Sequence, residues 1–209
     1  MKHKLDIANW NRKTHFEFFS KFEEPFFGIT VNVDCTKAYE TAKRSGISFF
    51  IFYLYKTLAA INAIENFRYR IIDGEVIVYD KINASPTIMR DDTTFGFALV
   101  EYFDDLHLFN KKATLETERV RNTNGLLTRD FSGEYNLIHF SSIPWVNFTS
   151  ISHSRSFTFP DSCPKVSFGK MIEENGKKTM PMSVHVHHGL MDGYHVSLFI
   201  DEFQKQMDA

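Results

Sequence analysis

Cysteine is scarce in this sequence: only Cys35 and Cys163 occur among 209 residues, and they lie far apart. Two isolated thiols give neither a disulfide framework nor a paired metal-binding motif, so no metal site of that kind is predicted. Long hydrophobic runs are missing too. The strongest, Phe49–Leu54, spans six residues, far short of the roughly 18 that a membrane-spanning helix needs.

An excess of one charge and a targeting signal are also absent. The 24 Lys and Arg residues and the 26 Asp and Glu residues give a formal net charge of −2 without a basic block. This balance predicts no nucleic-acid partner. The N-terminal stretch lacks the apolar run and the small-residue cleavage site of a signal peptide. We therefore expect a cytoplasmic protein with no membrane partner.

Aromatic residues, by contrast, are abundant, with 22 Phe and 8 Tyr. This much ring area serves a core, a subunit interface or a pocket for a flat apolar ligand. No linker, repeat or low-complexity segment divides the chain, and its six prolines are scattered. Residues 1–209 are therefore predicted to form a single domain.

Hydrophobic periodicity predicts a mixture of helices and strands. The dipeptides Asp73-Gly74 and Asn175-Gly176 interrupt alternating strands and predict two hairpins with type I′ turns. The predicted helices cover 12–22, 36 to about 45 with Thr36 as the cap, 49–64, 105–121 and 193–207. The other predicted strands cover 26–34, 86–91, 94–102, 136–141, 146–151 and 183–187. This order predicts an α/β fold of the two-layer α+β kind, with helices packed against a mixed, largely antiparallel sheet.

The segment 183–195 concentrates residues that can carry chemistry. His185 and His187 share one face of a predicted strand, His188 follows at its end, and Asp192 lies near the start of the last helix. Three interpretations fit these residue types. The residues could be ordinary histidines with an N-capping aspartate. They could form a metal site that lacks a third ligand, or supply a catalytic base whose neighbouring carboxylate fixes the local geometry. The spacing alone leaves all three open.

Three motifs resemble those of a known enzyme family. Residues 187–193 (HHGLMDG) resemble the H-H-x-x-x-D-G signature of CoA-dependent acyltransferases, which include chloramphenicol acetyltransferases and dihydrolipoamide acyltransferases. Residues 9–18 (NWNRKTHFEF) and 141–148 (SSIPWVNF) are similar to the N-W-x-R-x-x-H-F-E-F and S-x-x-P-W-V-x-F segments of the chloramphenicol acetyltransferase family. The resemblance runs from about residue 5 to the last helix, and the single-domain length favours this family.

The resemblance implies direct acetyl transfer from acetyl-CoA to a hydroxyl group, without an acyl-enzyme or a metal. It implies that His188 is the general base, that Ser141 donates a hydrogen bond to the oxyanion, and that Asp192 pairs with Arg12 to hold the catalytic loop. Ser167 stands where the family often has a threonine that helps to bind solvent and the intermediate. The family is trimeric, which implies a homotrimer with active sites and a CoA tunnel at the subunit interfaces.

The expected acceptor pocket departs from the family pattern. Phe19 replaces a tyrosine that commonly follows H-F-E-F, and Ile151, His153 and Arg155 replace an apolar alternation. Burying His153 and Arg155 unpaired would cost on the order of several kcal/mol. Either the acceptor is more polar than chloramphenicol, or a loop shift turns both side chains to solvent.

Three functions remain as hypotheses at this point. The first is O-acetylation of chloramphenicol or a similar hydroxylated small molecule. The second is the same chemistry on a more polar acceptor. The third, from another class, is a non-catalytic protein that binds an aromatic small molecule.

Overall fold

The computed structural model describes residues 1–156 and 161–209. Its smaller sheet is antiparallel, in the order β1-β4-β3, and consists of β1 (Lys2–Lys4), β3 (Tyr69–Ile72) and β4 (Glu75–Tyr79). The strands of the larger sheet are β2 (Phe26–Asp34), β5 (Asn83–Met89), β6 (Phe95–Phe97), β7 (Leu137–Ser142), β8 (Lys165–Phe168), β9 (Ile172–Glu174) and β10 (Lys177–His187).

The larger sheet is mixed. Its order is β2-β10-β8-β7-β5-β6, with β9 paired to one end of β10. The pairings of β7 with β5 and with β8 are parallel, and the others are antiparallel. The helices are α1 (Lys13–Phe19), α2 (Thr36–Arg44), α3 (Phe49–Ala63), α4 (Leu106–Arg121) and α5 (Gly193–Met207). The predicted fold class, a mixed and largely antiparallel sheet with packed helices, is confirmed.

Helix α3 lies at the centre of the helical layer. More than half of its residues are buried, and the ring of Tyr53 lies 4.9 Å from that of Phe168 on β8 and 5.9 Å from that of Phe140 on β7. The continuous run of apolar residues in α3 is therefore explained by its burial in the core. Among the described residues, no single helix is long and apolar enough to cross a membrane, and the one pair that passes by length and composition, α2 with α3, is bent by 119°.

Strand alternation gives the larger sheet two different faces. Phe168, which pairs with Met182, contacts α3 and α5, so these side chains point toward the helices. Alternate residues of the central strands point the other way. We call this second face, which carries Ser141 on β7, Ser167 on β8 and Ser183 on β10, the polar face.

Both predicted hairpin turns are confirmed. Asp73 and Gly74 have φ angles of 50° and 77°, and Asn175 and Gly176 have φ angles of 52° and 77°. Two consecutive positive φ angles are what a type I′ turn requires. The second turn joins β9 to β10 and so sets the start of the strand that leads to the histidine segment.

Several predicted elements differ from the observed ones. Helix α1 ends at Phe19 instead of residue 22, and the strand predicted over 94–102 shortens to β6 plus an isolated bridge between Ala84 and Val100. The strand predicted over 146–151 is wrong. The chain turns there, since the Val146 N–H donates to the Ile143 carbonyl at 3.3 Å, and the intervening proline has no N–H to offer a neighbouring strand.

The start of α2 also differs from the prediction. Thr36 is its first residue, and Cys35 occupies the cap position. The Asp34 carboxylate accepts the Thr36 N–H at 2.9 Å, while the Thr36 hydroxyl accepts the Lys178 N–H at 2.9 Å. An aspartate two residues earlier thus satisfies the helix start and leaves the threonine to bond with β10.

Arg70 joins the smaller sheet to the larger one. Only 2% of this residue is exposed, and its guanidinium donates to backbone carbonyls on both sides of the junction: those of Phe67, Tyr69, Tyr135 and Leu137. Since Leu137 begins β7, this contact fixes one end of the strand that carries Ser141.

We expect Arg70→Met to lower the free energy of unfolding by on the order of 3 kcal/mol, because several buried carbonyls lose their donor. Urea unfolding measures the change. The matched control is Arg44→Met, which removes an exposed guanidinium of α2 bonded to Thr41 and should change stability by less than about 0.5 kcal/mol. Equal effects of the two substitutions would contradict this role of Arg70.

Candidate active site

His188 lies directly after β10 and is fixed on several sides. Its N–H donates to the Pro25 carbonyl at 2.8 Å. Its ring stacks on Phe19, with centroids 3.9 Å apart and planes 5° from parallel, and lies 4.6 Å from the ring of Phe27. Nδ1 is buried without a hydrogen-bond partner among the described residues. Nε2 is therefore the ring nitrogen that can meet a ligand.

An ion pair ties α1 to the loop that carries His188. Arg12 donates to Asp192 Oδ2 at 2.5 Å and to the carbonyl of His188 at 3.2 Å. Only 8% of the Arg12 side chain is exposed. Because α1 also ends in Phe19, one contact holds both the backbone of His188 and the helix whose last ring stacks on it.

Asp192 also begins helix α5 as its N-cap. Its Oδ1 accepts the Tyr194 N–H at 3.1 Å and lies 2.8 Å from His195 Nδ1. Partial burial opposes ionisation, but the hydrogen bonds and charges of Arg12 and His195 outweigh it and hold the pKa of Asp192 at about 2. The carboxylate is charged at neutral pH and fully engaged in holding the loop.

Ser141 and Ser167 belong to a row of hydroxyls on the polar face. Register aligns Ser141 with Ser167, Ser167 with Ser183, and Ser183 with Thr30 across four neighbouring strands. Thr30 donates to Ser183 at 3.0 Å, and Ser167 Oγ lies 3.5 Å from His153 Nε2. The structure therefore places Ser141 and Ser167 side by side, with Ser141 partly exposed and Ser167 fully buried in one copy of the chain.

One copy of the chain does not bring His188 and Ser141 together. Ser141 lies two strands away from β10, and its register partner on that strand is Ser183. The lateral distance is about 10 Å and the five residues from Ser183 to His188 add about 17 Å along the strand, so the two residues are roughly 20 Å apart. Within a single copy they cannot act on the same carbonyl group.

The candidate acceptor residues after Ile151 are folded inward. His153 packs edge-on against His185, with ring centroids 4.7 Å apart, and burial, the neighbouring His185 and Lys165 lower the pKa of His153 to about 4. The Arg155 side chain is only 9% exposed, pairs with Glu24 and lies over the ring of Phe26. Of the two alternatives left open by the sequence, the loop shift that turns His153 and Arg155 to solvent is wrong, because both side chains find partners on the protein.

The metal interpretation gains no support from the geometry. His187 is only 4% exposed and its Nδ1 accepts the Gly189 N–H at 3.1 Å. Burial and the nearby charge of Arg155 lower its pKa to about 4. The described residues contain no group of three or more His, Cys, Asp or Glu side chains that could hold a metal ion. His187 is thus a neutral residue that shapes the turn before Asp192.

A cavity of about 660 Å³ opens beside the serine row. Of its polar lining, Arg155 was identified from the sequence, but His139, Asp161, Cys163 and Lys165 were missed. One signal was available: Lys165 and Ser167 alternate on the same strand, so they share the polar face. A charged residue so placed is unexpected in an apolar acceptor pocket.

Comparison with known proteins gives similarity over almost the whole chain. Residues 1–204 match the family model described as chloramphenicol acetyltransferase. The chain is 31% identical over 205 residues to the chloramphenicol acetyltransferase of Clostridium perfringens, covering 96% of this chain and 92% of that protein. It is 30% identical over 203 residues to chloramphenicol acetyltransferase 3 of Escherichia coli, covering 97% and 95%. A solved chloramphenicol acetyltransferase structure matches with a TM-score of 0.92 at 35% identity, covering 99% of this chain and 100% of that one.

We expect Arg12→Met to raise the pKa of Asp192 from about 2 toward its ordinary value of 3.8, because the largest stabilising partner of the carboxylate is removed. The carboxyl-carbon NMR signal of Asp192 measures this shift. Since the folded pKa is the depressed one, the stability contributed by Arg12 is complete above about pH 4 and is lost as the pH falls toward 2.

The control for this experiment is Lys13→Met, which removes the neighbouring, half-exposed cation that lies 3.9 Å from Glu17. This variant should leave the Asp192 titration unchanged. Urea unfolding between pH 3 and pH 7 should show a stability difference between wild type and Arg12→Met that is constant above about pH 4 and narrows below it. A difference that grows as the pH falls would contradict the ion pair.

Proposed function

Because the chain belongs to the chloramphenicol acetyltransferase family, as its motifs predicted, we propose that it transfers the acetyl group of acetyl-CoA to a hydroxyl group of a small molecule, with His188 as the base. Members of this family are acetyl-CoA-dependent O-acetyltransferases. The observation that carries the proposed role of His188 is its setting. The imidazole packs against two aromatic rings at a strand end, with one nitrogen left to face a substrate.

In the proposed reaction, Nε2 of neutral His188 accepts the proton of the acceptor hydroxyl while that oxygen attacks the carbonyl carbon of the acetyl thioester. A tetrahedral intermediate with a negatively charged oxygen forms. When it collapses, the bond between carbon and sulfur breaks and the His188 imidazolium returns its proton to the CoA thiolate. The products are the acetyl ester and the CoA thiol, and no acyl-enzyme is formed.

Ser141 is proposed to stabilise the negatively charged oxygen of the intermediate by donating a hydrogen bond from its hydroxyl. It lies near the end of β7 and is half-buried, so its hydroxyl is held by the sheet while remaining accessible. Ser167, in register beside it, is proposed to help bind solvent and the intermediate. A donor fixed in advance costs no reorganisation as the charge develops, which is why such groups contribute strongly to catalysis.

Arg12 and Asp192 are proposed as positioning residues. Their ion pair engages the backbone carbonyl of His188 and the start of α5, and it leaves the imidazole nitrogens untouched. Their effect on the reaction therefore passes through the orientation of the loop. The stacked ring of Phe19 shares this role by limiting rotation of the imidazole.

The active site is proposed to lie between copies of the chain in a homotrimer. Supporting this, His188 and Ser141 are roughly 20 Å apart within one copy by strand geometry. A ring of three copies lets His188 of one copy meet Ser141 of the next. Exposed aromatic residues near the site, including Phe18, Phe22 and Trp145, are suited to burial in such an interface.

The acceptor proposed from the relatives' names is chloramphenicol or a similar hydroxylated small molecule, bound near Phe19, Ile151, His153 and Ser167. The competing hypothesis of a non-catalytic binding protein requires an aromatic pocket only. It gives no reason for a clamped imidazole, a charged loop anchor and a row of hydroxyls in one fold.

We expect His188→Ala to reduce acetyl transfer from acetyl-CoA to chloramphenicol by on the order of 10³-fold, since the base is lost. Release of the CoA thiol, followed with a chromogenic thiol reagent, measures the rate. The control is His107→Ala, at an exposed position of α4, which should retain wild-type activity. A wild-type protein that binds chloramphenicol but transfers acetyl to no hydroxylated acceptor would favour the binding protein.

Co-expression of His188→Ala with Ser141→Ala tests the shared site. Each variant alone should be impaired, with Ser141→Ala losing on the order of 10²-fold. Mixed trimers contain an interface that joins an intact His188 from one copy to an intact Ser141 from another, so activity should partly return. Mixing His188→Ala with the doubly substituted chain provides no such interface and should restore nothing. Absence of any recovery in purified mixed trimers would rule out a site between copies.

A further inference from the structure

The cavity on the polar face contains more buried positive charge than buried negative charge. Three lining cations are nearly inaccessible to solvent: Arg70 and Lys165 are 2% and 4% exposed, and the side chain of Arg155 is 9% exposed. The Asp161 side chain, a carboxylate of the lining, is 21% exposed. Glu134 also lines the cavity but is partly exposed, so water screens its charge more strongly.

Two of these cations are incompletely balanced. Every hydrogen bond of Arg70 within the described residues goes to a backbone carbonyl, so its charge is not paired directly with a carboxylate there, although Asp161 acts on it from a distance. Arg155 pairs with Glu24, whose side chain is 48% exposed. Among residues 1–156 and 161–209, the Nε of Arg155 is buried without a hydrogen-bond partner, with Asp161 Oδ2 3.9 Å away. A buried cationic donor without an acceptor is costly, and a bound anion removes that cost.

The cavity lies next to the proposed chemistry. Lys165 precedes Ser167 by two residues on β8, and His139 precedes Ser141 by two residues on β7, so all four side chains share the polar face. Two residues along a strand span about 7 Å. An acceptor whose hydroxyl reacts near the two serines can therefore place its other end in the cavity.

We propose that this cavity binds an anionic group of the acceptor, a carboxylate or another anionic oxygen group, with Arg155 as its main charged partner and Lys165, whose Nζ is also paired with Asp161 Oδ2 at 2.5 Å, beside it. The assignment rests on the acetyltransferase function proposed above and names the class of acceptor. Such a molecule carries a hydroxyl group and an anionic group about 7 Å apart, the strand distance that separates the serines from the cations. Phe97, Leu127 and Tyr135 in the lining supply an apolar wall for the part between them.

The pKa shifts of two neighbouring groups reflect the positive charges of Lys165 and Arg70. Burial and then the charge of Lys165 lower the pKa of His185. Burial raises the pKa of the Cys163 thiol, but the adjacent His139 and Arg70 outweigh it, so its pKa lies below that of a free cysteine. Both effects have the sign expected beside a positive charge, whereas the pKa of His139 is raised, chiefly by Cys163.

Cys163 also gives a readout of cavity occupancy that does not depend on catalysis. It lines the cavity and is partly exposed, whereas Cys35 is fully buried and burial raises its pKa to about 12. Iodoacetamide should therefore alkylate Cys163 in the folded protein and leave Cys35 intact. Alkylation of both thiols reports unfolding of a variant.

The probes are 4-(hydroxymethyl)benzoate and its neutral counterpart 4-(hydroxymethyl)benzamide, which share the hydroxyl and the ring. We expect kcat/KM for acetyl transfer to favour the benzoate by at least about tenfold, as charge-assisted hydrogen bonds to a carboxylate allow. The benzoate should also protect Cys163 from alkylation at lower concentration than the benzamide does.

Arg155→Met should bring the ratio of the two kcat/KM values close to one, whereas Arg155→Lys, which keeps the charge, should retain most of it. The matched control is Lys205→Met, which removes an exposed cation of α5 and should leave the ratio unchanged. An intact Cys35 under native alkylation confirms that each variant is folded.

Equal kcat/KM values for the two probes in the wild-type protein would overturn the proposal, as would a ratio unchanged in folded Arg155→Met. If the wild-type protein acetylates neither probe nor chloramphenicol, but the benzoate protects Cys163 in an Arg155-dependent manner, the anion site stands and the acetyltransferase function fails. If the wild-type protein acetylates chloramphenicol but does not prefer the benzoate over the benzamide, the acetyltransferase function stands and the anion site fails.

Discussion

The contact of Arg12 with Asp192 and the His188 carbonyl is the constraint on which the candidate site depends. Three elements meet there: α1, the turn after β10 and the start of α5. Because the guanidinium is almost fully buried, its charge has to be met by protein groups, and the carboxylate and the carbonyl meet it together. The stacking of Phe19 on His188 follows from this contact, since Phe19 is the last residue of the helix whose N-cap is Arg12.

Much of the fold was predictable because its signals are local. The paired turn residues Asp73-Gly74 and Asn175-Gly176 identify two hairpins through backbone conformation alone. The apolar sequence of α3 indicates a buried helix wherever it packs. The strand predicted over 146–151 shows the limit. Its residue types suit a strand, but strand formation needs a partner, and the turn before it leads the chain away from one.

The residues of the candidate site could be predicted from the sequence, but the distances between them could not. The motifs mark His188, Ser141 and Asp192, yet no spacing in the sequence shows that sheet order separates the first two by the width of two strands. The charged cavity was missed for a related reason. From the sequence alone, Lys165 and Asp161 resemble ordinary solvated charges, and only the central position of β8 in the sheet shows otherwise. The distance between His188 and Ser141 and the composition of the cavity both depend on the pairing register of three neighbouring strands, which is a property of the tertiary structure.

The position of β10 has a consequence for synthesis on the ribosome. This strand lies inside the larger sheet, between β2 and β8, although it comes after both in the chain. A growing polypeptide can therefore form helices and outer strand pairs early, but a gap persists in the middle of its sheet until the last strand emerges. Throughout that interval β2 and β8 present unpaired backbone edges. Chaperone protection should therefore matter most while a chain of this protein is still being synthesised.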